Sequence, residues 1–184
     1  MSYKWWILVA IGLFGIGLVL GLVIPVGNAN PQAIAALKEL NDLSNLLFSL
    51  PPPLMVVFIF GKNALSLLLS FAFSPIFCLA PALALVANGG LLTFVSSMVI
   101  QEQSLGFVLA GLLPHGIIEI PAFILGEAAA LSFGAMAVLA MFNREKRSEL
   151  PSGLKHNLKY LLVAFALLLP AAIIETFITP LFLT

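Results

Sequence analysis

Apolar runs long enough to cross a bilayer follow one another along almost the whole chain, and in hydrocarbon every backbone polar group must be satisfied within the segment that carries it. Residues 5–24 contain no charged side chain, and about twenty apolar residues in helical form match the ~30 Å core of a membrane. With 61% of the 184 residues hydrophobic and 9% charged, the composition lies outside that of an ordinary soluble domain. The predicted fold class is an all-α polytopic transmembrane bundle of about five spans, a single transmembrane domain over residues 1–184. Such a chain has no room for a separate catalytic domain, so it is expected not to be an enzyme and to need no cofactor.

Formal net charge is zero, which excludes the concentrated basic face that nucleic-acid binding requires. The lone cysteine, Cys78, lies between Pro75 and Pro81 in an apolar run and reads as a packed or lipid-facing small residue. Lys4 followed by the first apolar run imitates a secretory signal. The run is too long and lacks a small-x-small cleavage site before Pro25, so it reads as an uncleaved first span with Trp5 and Trp6 at headgroup level. Gly12, Gly15, Gly17 and Gly21 in that span suit close approach by another helix.

Residues 27–53 form the longest polar stretch. Asn30-Pro31 resembles a helix start, and Ile34, Leu37, Leu40, Leu43 and Leu47 recur at helical spacing. Residues 31–48 are therefore predicted to form an amphipathic interfacial helix, ended by the prolines at 51–53. Gly61, Lys62 and Asn63 suggest an entry turn before a span over 64–87, bent by Pro75 and Pro81. Asn88-Gly89-Gly90 then punctuates the chain. Two short runs, 91–100 and 105–113, flank a polar tip at 101–104, a pattern that predicts broken or re-entrant half-helices. A full span over 116–142 and a last one over 158–182 complete the count.

Arg144, Lys146, Arg147, Lys155 and Lys159 surround the loop between these last two spans, which by the positive-inside rule faces the cytoplasm. Placing Lys4 on the same side requires an even number of crossings between them. Four crossings give a multi-pass protein of the cell membrane with a cytoplasmic N-terminus and an extracytoplasmic C-terminus, so the 31–48 helix would also be extracytoplasmic.

The costly residues are the acids inside these spans. A charge buried in hydrocarbon costs roughly 3 kcal/mol on insertion scales, so such a residue normally faces a partner, a cavity or a pathway. On a helix His115 and Glu119 lie within 40° of each other at 100° per residue, and Glu127 a further 80° round. Pro114 and Gly116 flank the histidine. Glu175 lies near the end of the last span, and Asn63 and Asn88 sit where amides satisfy freed backbone groups. A His-x-x-x-Glu pair can bind a metal, but zinc sites need three or four protein ligands, and the other histidine, His156, lies in the basic loop. No metal is therefore expected.

The run Pro114-His115-Gly116-Ile117-Ile118-Glu119, preceded by Asn63 and by Asn88-Gly89 and closed by Ala171-Ala172-Ile173-Ile174-Glu175 near Pro180, resembles the stage II sporulation protein M family. The resemblance covers about residues 54–182. It implies a multi-span protein which, in endospore formers, acts as a membrane scaffold holding peptidoglycan-degrading enzymes at the septal and engulfing membrane. Glu127 departs from the pattern, which has glycine or alanine there, and an added acid points towards a polar cavity.

These readings predict a non-catalytic membrane scaffold or subunit that recruits envelope-remodelling or export partners, and its small-residue faces suit a homo-oligomer. The alternative is a secondary transporter or channel with an intramembrane His/Glu proton or ion site. An intramembrane hydrolase using Glu119 and His115 is weaker, because no nucleophile or third metal ligand stands out.

Overall fold

The computed structural model describes residues 3–24, 38, 50–76 and 78–183. Helix α1 spans Tyr3–Val23, α2 Pro52–Phe73, α3 Leu79–Glu102, α4 Leu105–Phe142, the short α5 Arg144–Arg147 and α6 Leu150–Phe177, followed by a 3-10 turn over Thr179–Phe182. Among the described residues there is no strand, and α1, α2, α3, α4 and α6 are the five helices long and apolar enough to cross a membrane. Apart from Lys38, which is helical and exposed, the interfacial helix predicted over 31–48 lies outside the described residues.

The helix boundaries depart from the sequence expectation in two places. The span predicted over 64–87 does not form. Pro52 and Pro53 instead open α2, where a proline's missing N–H falls on groups that have no intrahelical partner. Gly61, Lys62 and Asn63 lie within α2, and the break comes at Ser74 to Cys78. Cys78 takes a left-handed backbone (φ 57°) and its Sγ contacts the Leu131 carbonyl at 3.5 Å, so it is a packed residue of a helical hairpin. Pro81 falls in the first turn of α3, again without cost.

The predicted half-helices are also absent. Helix α3 runs through Asn88-Gly89-Gly90, and α4 runs through both Pro114 and Pro121. A proline removes one backbone bond, whereas ending a helix inside hydrocarbon frees several, so continuing is the cheaper solution. The true break is at Gln103 and Ser104, within the polar tip, where the Ser104 hydroxyl accepts from the Phe107 amide at 3.1 Å and caps α4.

Helix α4 is the axis of the bundle. Its small residues let neighbours approach from two sides. Ala122, Ala129 and Ala130 pack with Leu67 and Phe71 of α2 and with Leu161, Ala164 and Leu168 of α6. Ala128 and Leu131 pack with Ala10 and Phe14 of α1 and with Leu85 of α3. Where α1 crosses α3 the backbones touch directly: a Cβ on Gly17 would strike the Val86 carbonyl, one on Gly89 the Phe14 carbonyl, and one on Gly21 the Gly90 carbonyl. Thr93 reinforces the seam, its Oγ1 donating to the Leu18 carbonyl at 2.9 Å. Gly12 and Gly15 face open space. The glycines read as a break at 89–90 are thus half of a helix-packing seam.

At the start of α1, Tyr3 stacks on Tyr160 of α6 with ring centroids 3.6 Å apart and donates to the Leu125 carbonyl at 2.8 Å. Lys4 and the basic α4–α6 connection therefore share one face of the bundle. Arg147 closes α4 on that face, its Nε donating to the Ala140 carbonyl at 3.0 Å, the expected place for a cation at a helix C-terminus.

Candidate intramembrane polar site

His115 and Glu119 stand one turn apart on α4, their side chains 13% and 26% exposed, with His115 Nε2 3.8 Å from Glu119 Oε2. Glu175 reaches them from the far end of α6, so that one ligating atom from each of the three residues lies within 4.8 Å of the others. Asn63 of α2 donates its Nδ2 hydrogen to Glu119 Oε1 at 2.7 Å. Thr179, at the start of the terminal 3-10 turn, brings its Oγ1 to 3.2 Å from His115 Nδ1.

This cluster lies on a cavity of about 540 Å³ bounded by all five long helices. Most of the residues that α2, α3 and α4 contribute to it come from the halves remote from the basic connection. Its walls are mostly apolar, with Phe58, Val99 and Phe123 among them, so the polar groups converge at one place in a greasy chamber. That is the usual composition of a small-ligand site.

The remaining residues singled out in the sequence divide. Gly116 is buried on the cavity wall, where an added Cβ would make only ordinary contact with Leu112 and Ile120. Pro114 lies one residue before the histidine, inside the continuous helix. Asn88 lines the cavity while its amide donates to the Ala84 carbonyl at 2.8 Å. Gly89 serves the α1 seam and takes no part in the cavity.

Glu127 does not join the cluster, although its angular position on α4 suggested that it would. Eight residues of helix rise carry it about 12 Å along the axis from Glu119. There it is fully buried and accepts a hydrogen bond from the Ser70 hydroxyl of α2, while its second carboxyl oxygen has no partner among the described residues. It ties α2 to α4.

Two contributors escaped the sequence reading. Lys62 lines the cavity from within α2; a lysine in an apolar stretch was a signal, masked by the glycine before it. Thr179 carried no signal, being one hydroxyl near a chain end. Glu175 supplies a third ligating group beside His115 and Glu119, which its place near the end of the last span did not signal.

The profile of the family described as Stage II sporulation protein M matches residues 10–180. The match begins within α1 and so reaches further than the motifs from residue 54 onward. An uncharacterized protein of Methanocaldococcus jannaschii is 26% identical over 181 residues, covering 95% of this chain and 93% of its own. No solved structure matches.

Proposed function

The chain belongs to the stage II sporulation protein M family, and on that premise we propose that this multi-pass membrane protein works through the His115, Glu119 and Glu175 cavity, binding and passing a small cation. The observation that supports this reading is the contrast among its buried acids. Glu127 is fully buried against Ser70, as a structural lock would be, whereas Glu119 and Glu175 line a chamber of about 540 Å³. Two carboxylates brought together in a low-dielectric setting repel each other unless a cation or proton lies between them. The reading involves no bond cleavage and is non-enzymatic.

Lys4 and the basic connection share one face, and the positive-inside rule would set that face in the cytoplasm of a cell-membrane protein. The N-terminus is then inside, the C-terminus outside, and the cavity loads from the extracytoplasmic half. Reconstituted in liposomes, the protein should carry a cation or proton flux that Glu119→Gln and Glu175→Gln abolish and Glu127→Gln leaves in place. Flux that is absent, or indifferent to the paired Glu119→Gln and Glu175→Gln change, would remove the proposal.

A scaffold that recruits envelope-remodelling or export proteins is the second reading. It is favoured by the backbone seam between α1 and α3, which resists sliding, and by spans that run unbroken. Under it, capture of an envelope partner by the full chain persists in Glu119→Gln and no flux is seen.

A further inference from the structure

We propose that His115, Glu119 and Glu175 are the protein ligands of a divalent first-row transition-metal ion, of the zinc or manganese class, with an open coordination position facing the cavity. The inference rests on the reading of the cavity as a cation site and names the cation.

Spacing is the first argument. His115 Nε2 and Glu119 Oε2 are 3.8 Å apart, beyond the reach of an N–H···O hydrogen bond. Donors around a tetrahedral ion with bonds of about 2.0–2.1 Å stand roughly 3.4 Å from one another. The three side chains, with ligating atoms within 4.8 Å of each other, need to close by at most about 1.4 Å to reach that spacing.

The second argument is the set of groups behind the ligands. Where Thr179 Oγ1, 3.2 Å away, accepts from His115 Nδ1, the lone pair falls on Nε2, which stands 3.8 Å from Glu119 Oε2. Asn63 occupies Glu119 Oε1 at 2.7 Å and leaves Oε2 turned to the histidine. Outer hydrogen bonds of this kind fix the tautomer and aim the ligand atoms of metal sites. Three lone-pair donors then converge with no hydrogen between them. These groups come from α2, α4, α6 and the terminal turn, so the arrangement is not a local accident of one helix.

Ligand chemistry selects the ion. One imidazole and two carboxylates suit zinc, manganese or ferrous iron, and lack the thiolate or thioether that cuprous copper prefers. Two carboxylates also neutralise a dication, which hydrocarbon surroundings require. Three protein ligands leave the fourth position for water or substrate. Lys62 lines the same cavity, where its ammonium would compete with a bound ion for the carboxylates and weaken its binding.

The test uses the full chain in detergent micelles, its purification tag removed and metal stripped with chelator, titrated with Zn²⁺ and Mn²⁺ by calorimetry and with Co²⁺ by visible absorption. One ion should bind per chain, with ligand-field bands appearing on Co²⁺ addition. Binding should fall below detection in His115→Ala and Glu175→Gln, and weaken about 10-fold or more in Asn63→Ala and Thr179→Val. Glu127→Gln and His156→Ala should bind as the parent does. Should Glu175→Gln fail to fold, Glu119→Gln reads the same ligand set. No stoichiometric binding by the parent, or binding that survives His115→Ala and Glu175→Gln, overturns the metal site. Acid-dependent proton or sodium flux without divalent binding overturns it while sparing the cavity reading; neither binding nor flux defeats both.

Discussion

Replacing Gly17 by alanine should drive α1 away from α3. A Cβ at Gly17 collides with the carbonyl group of Val86 and comes within 3.0 Å of the Gly90 nitrogen, atoms of a continuous helix that cannot rotate aside. Carbon contacts are comfortable at about 3.5–4.0 Å, so α1 must retreat on the order of 1 Å. That retreat breaks the 2.9 Å bond from Thr93 Oγ1 to the Leu18 carbonyl. Overpacking costs about 1–3 kcal/mol, and an interhelical hydrogen bond in a membrane adds about 0.6 kcal/mol. Alanine's better helix propensity offsets about 0.8–1 kcal/mol. The net expectation is a loss of roughly 1–3 kcal/mol. Gly12 is the matched control, because it lies on the same helix with nothing near its added methyl; Gly12→Ala should be neutral or stabilising. Unfolding in mixed micelles by added SDS, followed by fluorescence of Trp5 and Trp6, reads both. Equal midpoints for the two variants, or a Gly17→Ala protein at least as stable as the parent, would refute the backbone-contact argument.

Ser70→Ala strips Glu127 of the hydrogen bond it accepts and should cost about 1–3 kcal/mol in the same assay, whereas Glu127→Gln keeps an acceptor for Ser70 and should cost less. Gly134→Val puts side-chain atoms against the Ser74 carbonyl and Cys78 Sγ; the α2–α3 turn should move, and the sole cysteine should react with maleimide faster than in the parent. In a Cys78→Ser background, single cysteines at Gln103 and Ser148 should label from opposite sides of the membrane, with Ser148 on the same side as a tag at the N-terminus; labelling of both from one side would contradict the five-span arrangement.

How much of this could be read in advance depended on which force was at issue. Hydrocarbon imposes one backbone solution on a long apolar run, so helices, their approximate number and a shared side for Lys4 and the basic connection were legible from composition alone. Boundaries were not, because glycine and proline have two meanings in a membrane helix. In water Asn88-Gly89-Gly90 and Pro114 punctuate; inside a bundle the first became a seam against α1 and the second was absorbed by a helix with no cheaper alternative. Gly61 misled in the same way, and Lys62 beside it was passed over as the edge of a span.

The site divides along the same line. Spacing along one helix brought His115 to Glu119, because four residues make one turn. The same arithmetic wrongly enrolled Glu127, since angle round a helix says nothing of which neighbour fills each level. Only the packing of α2 and α6 on α4 decided that Ser70 covers a buried Glu127 while Asn63, Glu175 and Thr179 close around His115 and Glu119. The sequence by itself determined that acids would sit inside a membrane bundle, a matter of solvent and local period. Tertiary contacts between residues more than fifty positions apart decided which acid was buried against a serine and which faced the cavity.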